Sequence, residues 1–87
     1  MSTTFVHHTD PAHGWIEVSL GQIIAAGLMP SDFSEYSYRT KTKFYLEEDC
    51  DASKFVDAWR AKIGPCEFTE KYSHNSFIRR LSRMVRA

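Results

Sequence analysis

No window of this chain approaches the run of about 20 apolar residues that a membrane-spanning helix needs, so no membrane partner is expected. Cysteine is scarce. Cys50 and Cys66 are the only two, too few for a disulfide framework, and they read as reduced thiols packed as small apolar groups. Net charge is absent as well: eleven Lys and Arg balance eleven Asp and Glu. Proteins that wrap nucleic acid are basic overall, and a protein imitating its phosphates should be strongly acidic, so neither class is favoured. A near-neutral surface also lacks repulsion between copies, which is compatible with a homodimer. The opening MSTTFVHHTD holds no basic region followed by an apolar run, so no signal peptide is expected and the cytoplasm is the expected location. Low-complexity stretches, repeats and interior boundaries are missing, and 87 residues suffice for one core. Residues 1–87 are therefore read as a single domain, with residues 1–4 frayed at its edge.

What is present is clearest from Lys43 to Gly64. Phe44 and Leu46 alternate with Tyr45 and Glu47, the period of a strand with one buried face. Asp51 stands where a helix N-cap belongs, and Cys50 and Phe55 have the spacing of a hydrophobic staple. Ala52, Phe55, Val56, Trp59 and Ile63 then form one apolar stripe, predicting a helix over Ala52–Ile63. Gly64 and Pro65 end it. Upstream, Trp15–Val18 alternates as a strand. Ser19 and Gln22 make a capping box for a two-turn helix with Leu20, Ile23 and Ile24 as its buried side, and Val18 and Ile23 form a second staple. Gly27 and Pro30 stop that helix. Glu35–Arg39 and Lys43–Glu47 read as a hairpin. Cys66–Tyr72 is a strand with Cys66, Phe68 and Tyr72 on one face. Phe77, Ile78, Leu81, Met84 and Val85 fit a helical stripe, and a return strand after Tyr72 is the alternative.

The order β-α-β-β-α-β, followed by a strand or helix, predicts an α+β fold. One mostly antiparallel sheet of four to five strands would carry two helices on one face. Phe44, Leu46, Phe55, Val56, Trp59 and Phe68 are expected to share a dry interior.

Several stretches together resemble a group of small accessory proteins of bacterial phages, plasmids and integrated elements. They are His8-x-Asp10-Pro11-x-His13-Gly14-Trp15-x-Glu17-Val18, Tyr36-Ser37-Tyr38, Tyr45-Leu46-Glu47-Glu48-Asp49-Cys50-Asp51-Ala52 and Ser76-Phe77-Ile78-Arg79. The likeness runs from about His8 to Arg80, and residues 81–87 extend past it as a tail. It implies a fold and a genomic setting and no catalytic residues. In such a setting short proteins often bind and disable a host defence component.

Four constellations carry candidate chemistry. His7, His8, Asp10 and His13 offer ligands of the zinc type, with His8, Asp10 and His13 the set to test; bracing of a loop by hydrogen bonds is the competing explanation. Glu47, Glu48, Asp49 and Asp51 could hold magnesium, although negative charge at a helix N-terminus explains Asp49 and Asp51 without an ion. Cys50 could be a nucleophile if a histidine served as its base, but the staple with Phe55 explains it as core. Arg79, Arg80, Arg83 and Arg86 crowd the tail, suited to an acidic partner surface or to single-stranded nucleic acid.

The leading reading is a non-enzymatic binding protein without a cofactor, acting by protein–protein contact on a host protein or nucleoprotein complex. An inhibitor of a defence complex, of anti-CRISPR or anti-restriction type, is what the resemblance implies. Its contact residues would be Tyr36, Tyr38, Arg79, Arg80 and Arg83. Two other classes remain: a metal-dependent or cysteine enzyme built on the His loop and the acidic strand–helix corner, and a nucleic-acid-binding accessory protein using the Arg-rich tail.

Overall fold

The structure is a computed structural model that describes residues 3–34, 36–74 and 76–83, apart from the side chains of Arg79, Ser82 and Arg83. Its strands are β1 (Thr3–Thr9), β2 (Gly14–Ser19), β3 (Tyr38–Arg39), β4 (Lys43–Glu47), β5 (Cys66–Tyr72) and β6 (Ser82–Arg83). Helices α1 (Leu20–Ala25) and α2 (Ala52–Lys62) follow β2 and β4. The strands form one sheet in the order β5-β1-β2-β4-β3-β6. All neighbours run antiparallel except β1 and β5, so the fold is α+β with a mostly antiparallel sheet, as expected.

Alternation along the strands sends side chains to two faces. On one face Phe5, Ile16, Val18, Phe44 and Leu46 meet Ile23 of α1 and Phe55 and Trp59 of α2. The Phe5 ring sits edge-on to Phe55 at 5.3 Å and to Trp59 at 5.2 Å, the geometry aromatic quadrupoles prefer. On the other face Trp15, Tyr38 and Tyr45 pack against Ile78, which is fully buried. Ile78 arrives there on a short 3-10 turn, Phe77–Arg80, capped by Ser76, whose hydroxyl accepts from the Ile78 amide at 3.3 Å. Because both faces are covered, Phe44, Tyr45, Leu46 and Glu47 are all buried in β4.

The Ser19–Gln22 capping box forms, with the Gln22 amide 3.1 Å from Ser19 Oγ and the Ser19 amide 2.9 Å from Gln22 Oε1. Gly27, at φ +85°, ends the helical region, a conformation that favours glycine. Of the expected buried side of α1, however, only Ile23 is buried; Leu20 and Ile24 are exposed, because one helical turn and a half presents little more than one residue to the sheet.

Five further expectations are corrected. Thr3, Thr4 and His7–Thr9 belong to β1, paired with β2 and, in parallel, with β5, so β1 takes in residues expected to fray at one end and to form a loop at the other. Among the described residues the tail forms a 3-10 turn followed by the two residues of β6, in place of the expected helix or return strand, and Met84 to Ala87 lie outside the described residues. Phe68 is 40% exposed, since β5 is an outer strand and α2 leaves much of it uncovered. Ile63 also lies open, beyond the last turn of α2. Cys50 is exposed and forms no staple with buried Phe55. Val56, by contrast, packs partly buried against the main core.

No helix among the described residues is long and apolar enough to cross a membrane.

Candidate functional site

The β2–β4 register places Trp15 opposite Glu47, which brings the end of the loop before β2 against the corner after β4. A cleft of about 280 Å³ opens there, lined by His13, Trp15, Tyr36, Tyr38, Glu47, Asp49 and Cys50. Its walls come from three segments of the chain, at His13 and Trp15, Tyr36 and Tyr38, and Glu47 to Cys50, and one buried hydrogen-bond cluster joins the last two. The Asp51 carboxylate accepts from the Ser34 amide at 2.9 Å, the Ser34 hydroxyl at 2.8 Å and the Ser37 hydroxyl. Ser37 Oγ in turn accepts the Glu47 amide at 2.9 Å. A buried carboxylate is tolerable only when so satisfied, and these bonds fix the Ser34–Tyr38 segment over the corner. Asp51 is therefore in the N-cap position of α2 without capping it through its side chain.

The turn after β4 is closed instead by Glu47. Its Oε1 accepts the amides of Asp49 and Cys50, both at 3.0 Å. Its Oε2 faces the cleft, 3.8 Å from His13 Nδ1. Ligand atoms of His13, Glu47 and Asp49 all lie within 4.8 Å of one another, the one such His, Cys or acid trio among the described residues. Cys50 stands at the same edge. Desolvation, a hydrogen bond to Glu47 and the charges of Glu47, Asp51 and Asp49 push its thiol above the ordinary range. Among the described residues no basic side chain lines the cleft beyond His13.

The histidines part company. His8 lies on the second face of the sheet, its Nε2 donating to Glu17 Oε1 at 2.8 Å, with its ring edge-on to Tyr45 and Phe77. Asp10 accepts the amides of Ala12 and His13 at 2.9 and 2.8 Å, bracing the loop. The set His8, Asp10 and His13 is therefore not assembled, because β1 carries His8 away from the loop. His7 pairs with Glu48 at 3.4 Å across Gly14, where an added Cβ would meet both side chains. Glu47 and Glu48 do point apart, as strand alternation requires.

Glu17 also meets Lys43 Nζ at 3.3 Å. Partial burial works to raise its carboxyl, but the hydrogen bonds and charges of His8 and Lys43 outweigh this and hold it below the usual range. Burial and the Glu17 charge together push the Tyr45 hydroxyl up.

Of the expected contact residues, Tyr36 is 56% exposed at the cleft rim and Arg80 is exposed. Tyr38 is buried against Trp15 at 6.2 Å, which corrects its reading as a contact residue. The side chains of Arg79 and Arg83 lie outside the described residues, as does Arg86. Arg80 has different company. An open groove is lined by Arg39, Thr40, Lys41, Arg80 and Leu81. Arg39 lies over the Phe44 ring at 4.8 Å, and no carboxylate pairs with Arg39, Lys41 or Arg80 among the described residues. Neither Arg39 nor Lys41 was among the expected contact residues; the hairpin prediction held the signal, because it puts the turn between them at the end of β4 remote from Glu47. Four steps of about 3.3 Å along β4, from Lys43 to Glu47, separate the basic and acidic ends by roughly 13 Å.

No protein-family model matches the chain, and neither a curated protein nor a solved structure matches it at a significant level.

Proposed function

We propose that the chain is a non-enzymatic binding protein that occupies an anionic surface of a larger partner through the basic groove. The observation that carries the reading is the groove itself: Arg39, Lys41 and Arg80 around one opening, none neutralised by a carboxylate among the described residues. On a chain of zero net charge such segregation is a local feature, and unpaired guanidinium and ammonium groups at an edge favour carboxylate- or phosphate-bearing partners. Arg39 held over Phe44 is partly ordered before contact, which reduces the entropy lost on binding. The partner is a protein or nucleoprotein complex. Chain origin in a phage or other mobile element, and a partner in a host defence complex of anti-CRISPR or anti-restriction type, are supported by the sequence resemblance alone.

An interference assay tests it. The chain is expressed in bacteria carrying an active defence system, and phage plating is compared with and without it. Wild type should restore plating, and the Arg39→Glu, Lys41→Glu, Arg80→Glu variant should not while keeping wild-type circular dichroism. Failure of the wild type against CRISPR and restriction systems alike would overturn the defence assignment. Equal activity of the folded variant would overturn the groove. Oligonucleotide binding that weakens steeply with salt would instead favour direct nucleic-acid contact.

A further inference from the structure

We infer that His13, Glu47 and Asp49 form a binding site for one divalent transition ion of the zinc class, at the floor of the cleft walled by Trp15 and Tyr36. The site is independent of the groove, and its failure would leave the partner reading untouched.

The donor set indicates the kind of ion. One imidazole with two carboxylates suits borderline ions such as zinc, manganese or ferrous iron, whereas magnesium and calcium are served by oxygen alone. The spacing fits. Ligand atoms within 4.8 Å of one another need only close to about 3.4 Å to surround a tetrahedral ion with bonds of about 2.1 Å. His13 and Asp49 are exposed and free to make that movement, and Glu47 is not.

Glu47 supplies an observation independent of the cluster. Its side chain is only 9% exposed, yet no Lys or Arg approaches it among the described residues. Two backbone amides hold Oε1 and so orient the carboxylate with Oε2 toward the cleft, the outer-shell arrangement that tunes metal ligands. Glu48, Asp49 and Asp51 stand near it in sequence, and among the described residues Glu48 pairs with the His7 imidazole. A nearly buried carboxylate with acidic neighbours and no fixed cation is costly, and a bound cation relieves that cost. Three protein ligands leave a fourth position open to the cleft for water or a ligand atom.

The test is calorimetric titration of tag-free protein with zinc chloride, with magnesium chloride as comparison. One equivalent of zinc should bind, more tightly than magnesium, and raise the melting temperature. His13→Ala and Asp49→Asn should each weaken zinc binding by about tenfold or more while melting like wild type in chelator. His7→Gln, which alters the other imidazole–carboxylate pair, should bind as wild type does. Absence of zinc binding, tighter binding of magnesium, or wild-type affinity in the His13 and Asp49 variants overturns the inference, and so does loss of binding in His7→Gln.

Discussion

The Ser37 hydroxyl donates to the Asp51 carboxylate and, through the same oxygen, accepts the Glu47 amide. One buried side chain thereby joins the segment before β3, the end of β4 and the start of α2. Ser37→Ala leaves the Asp51 carboxylate short of a donor and the Glu47 amide without its acceptor. We expect a loss of about 1–3 kcal/mol, read as a lower midpoint in urea with unchanged slope. A loss under about 0.5 kcal/mol, the range of ordinary surface changes, would contradict the linkage.

Acid should weaken the fold through Glu17. Its carboxyl is held below the ordinary value of 4.5 in the folded chain. A depressed folded value means that the stabilisation is present above the unfolded value and is lost as pH falls through the folded one. Urea midpoints taken from neutral pH to below pH 4.5 should therefore fall less steeply in Glu17→Gln than in wild type. Parallel profiles would show that the His8–Glu17–Lys43 contact does not couple to folding.

Both thiols should react slowly, for different reasons. Cys50 is exposed but its thiol is raised, and Cys66 is buried. At neutral pH iodoacetamide should modify Cys50 more slowly than an unstructured peptide thiol, with Cys66 reacting only on unfolding. Asp49→Asn should speed the Cys50 reaction. Modification of Cys50 faster than the peptide would revive the nucleophile.

Aromatic truncations separate the core from its margin. Phe55 is fully buried between Phe5 and Trp59, and Phe68 is 40% exposed with a tilted contact to Phe5 at 6.3 Å. Phe55→Ala should cost about 3–5 kcal/mol, and Phe68→Ala less than half of that. Chemical denaturation of both variants measures the difference, and equal costs would place Phe68 in the core after all.

These contrasts mark what could be read from the residues. The capping box at Ser19, the span of α2 and the strand Cys66–Tyr72 are set by neighbours a few positions apart, so local spacing suffices for them. The parallel β1–β5 pair joins Phe5 to Phe68 across most of the chain, and alternation within either strand names no partner. The second core depends on Ile78 returning to Trp15 and Tyr45, which made the tail resemble a helix by its own stripe. The cleft failed to show for the same reason: His13 and Glu47 meet only through the β2–β4 register. Asp51 was found at its position, but its partners Ser34 and Ser37 lie outside the reach of any helix-cap rule.

The claim that a partner sits in the basic groove is tested most directly by photo-crosslinking in cells. A photoreactive residue replaces Lys41 in the groove or Glu67 on the outer strand β5. The account predicts a discrete adduct from position 41 that is lost when Arg39 and Arg80 are changed to Glu, and none from position 67. An adduct from position 67 with none from position 41 would contradict it.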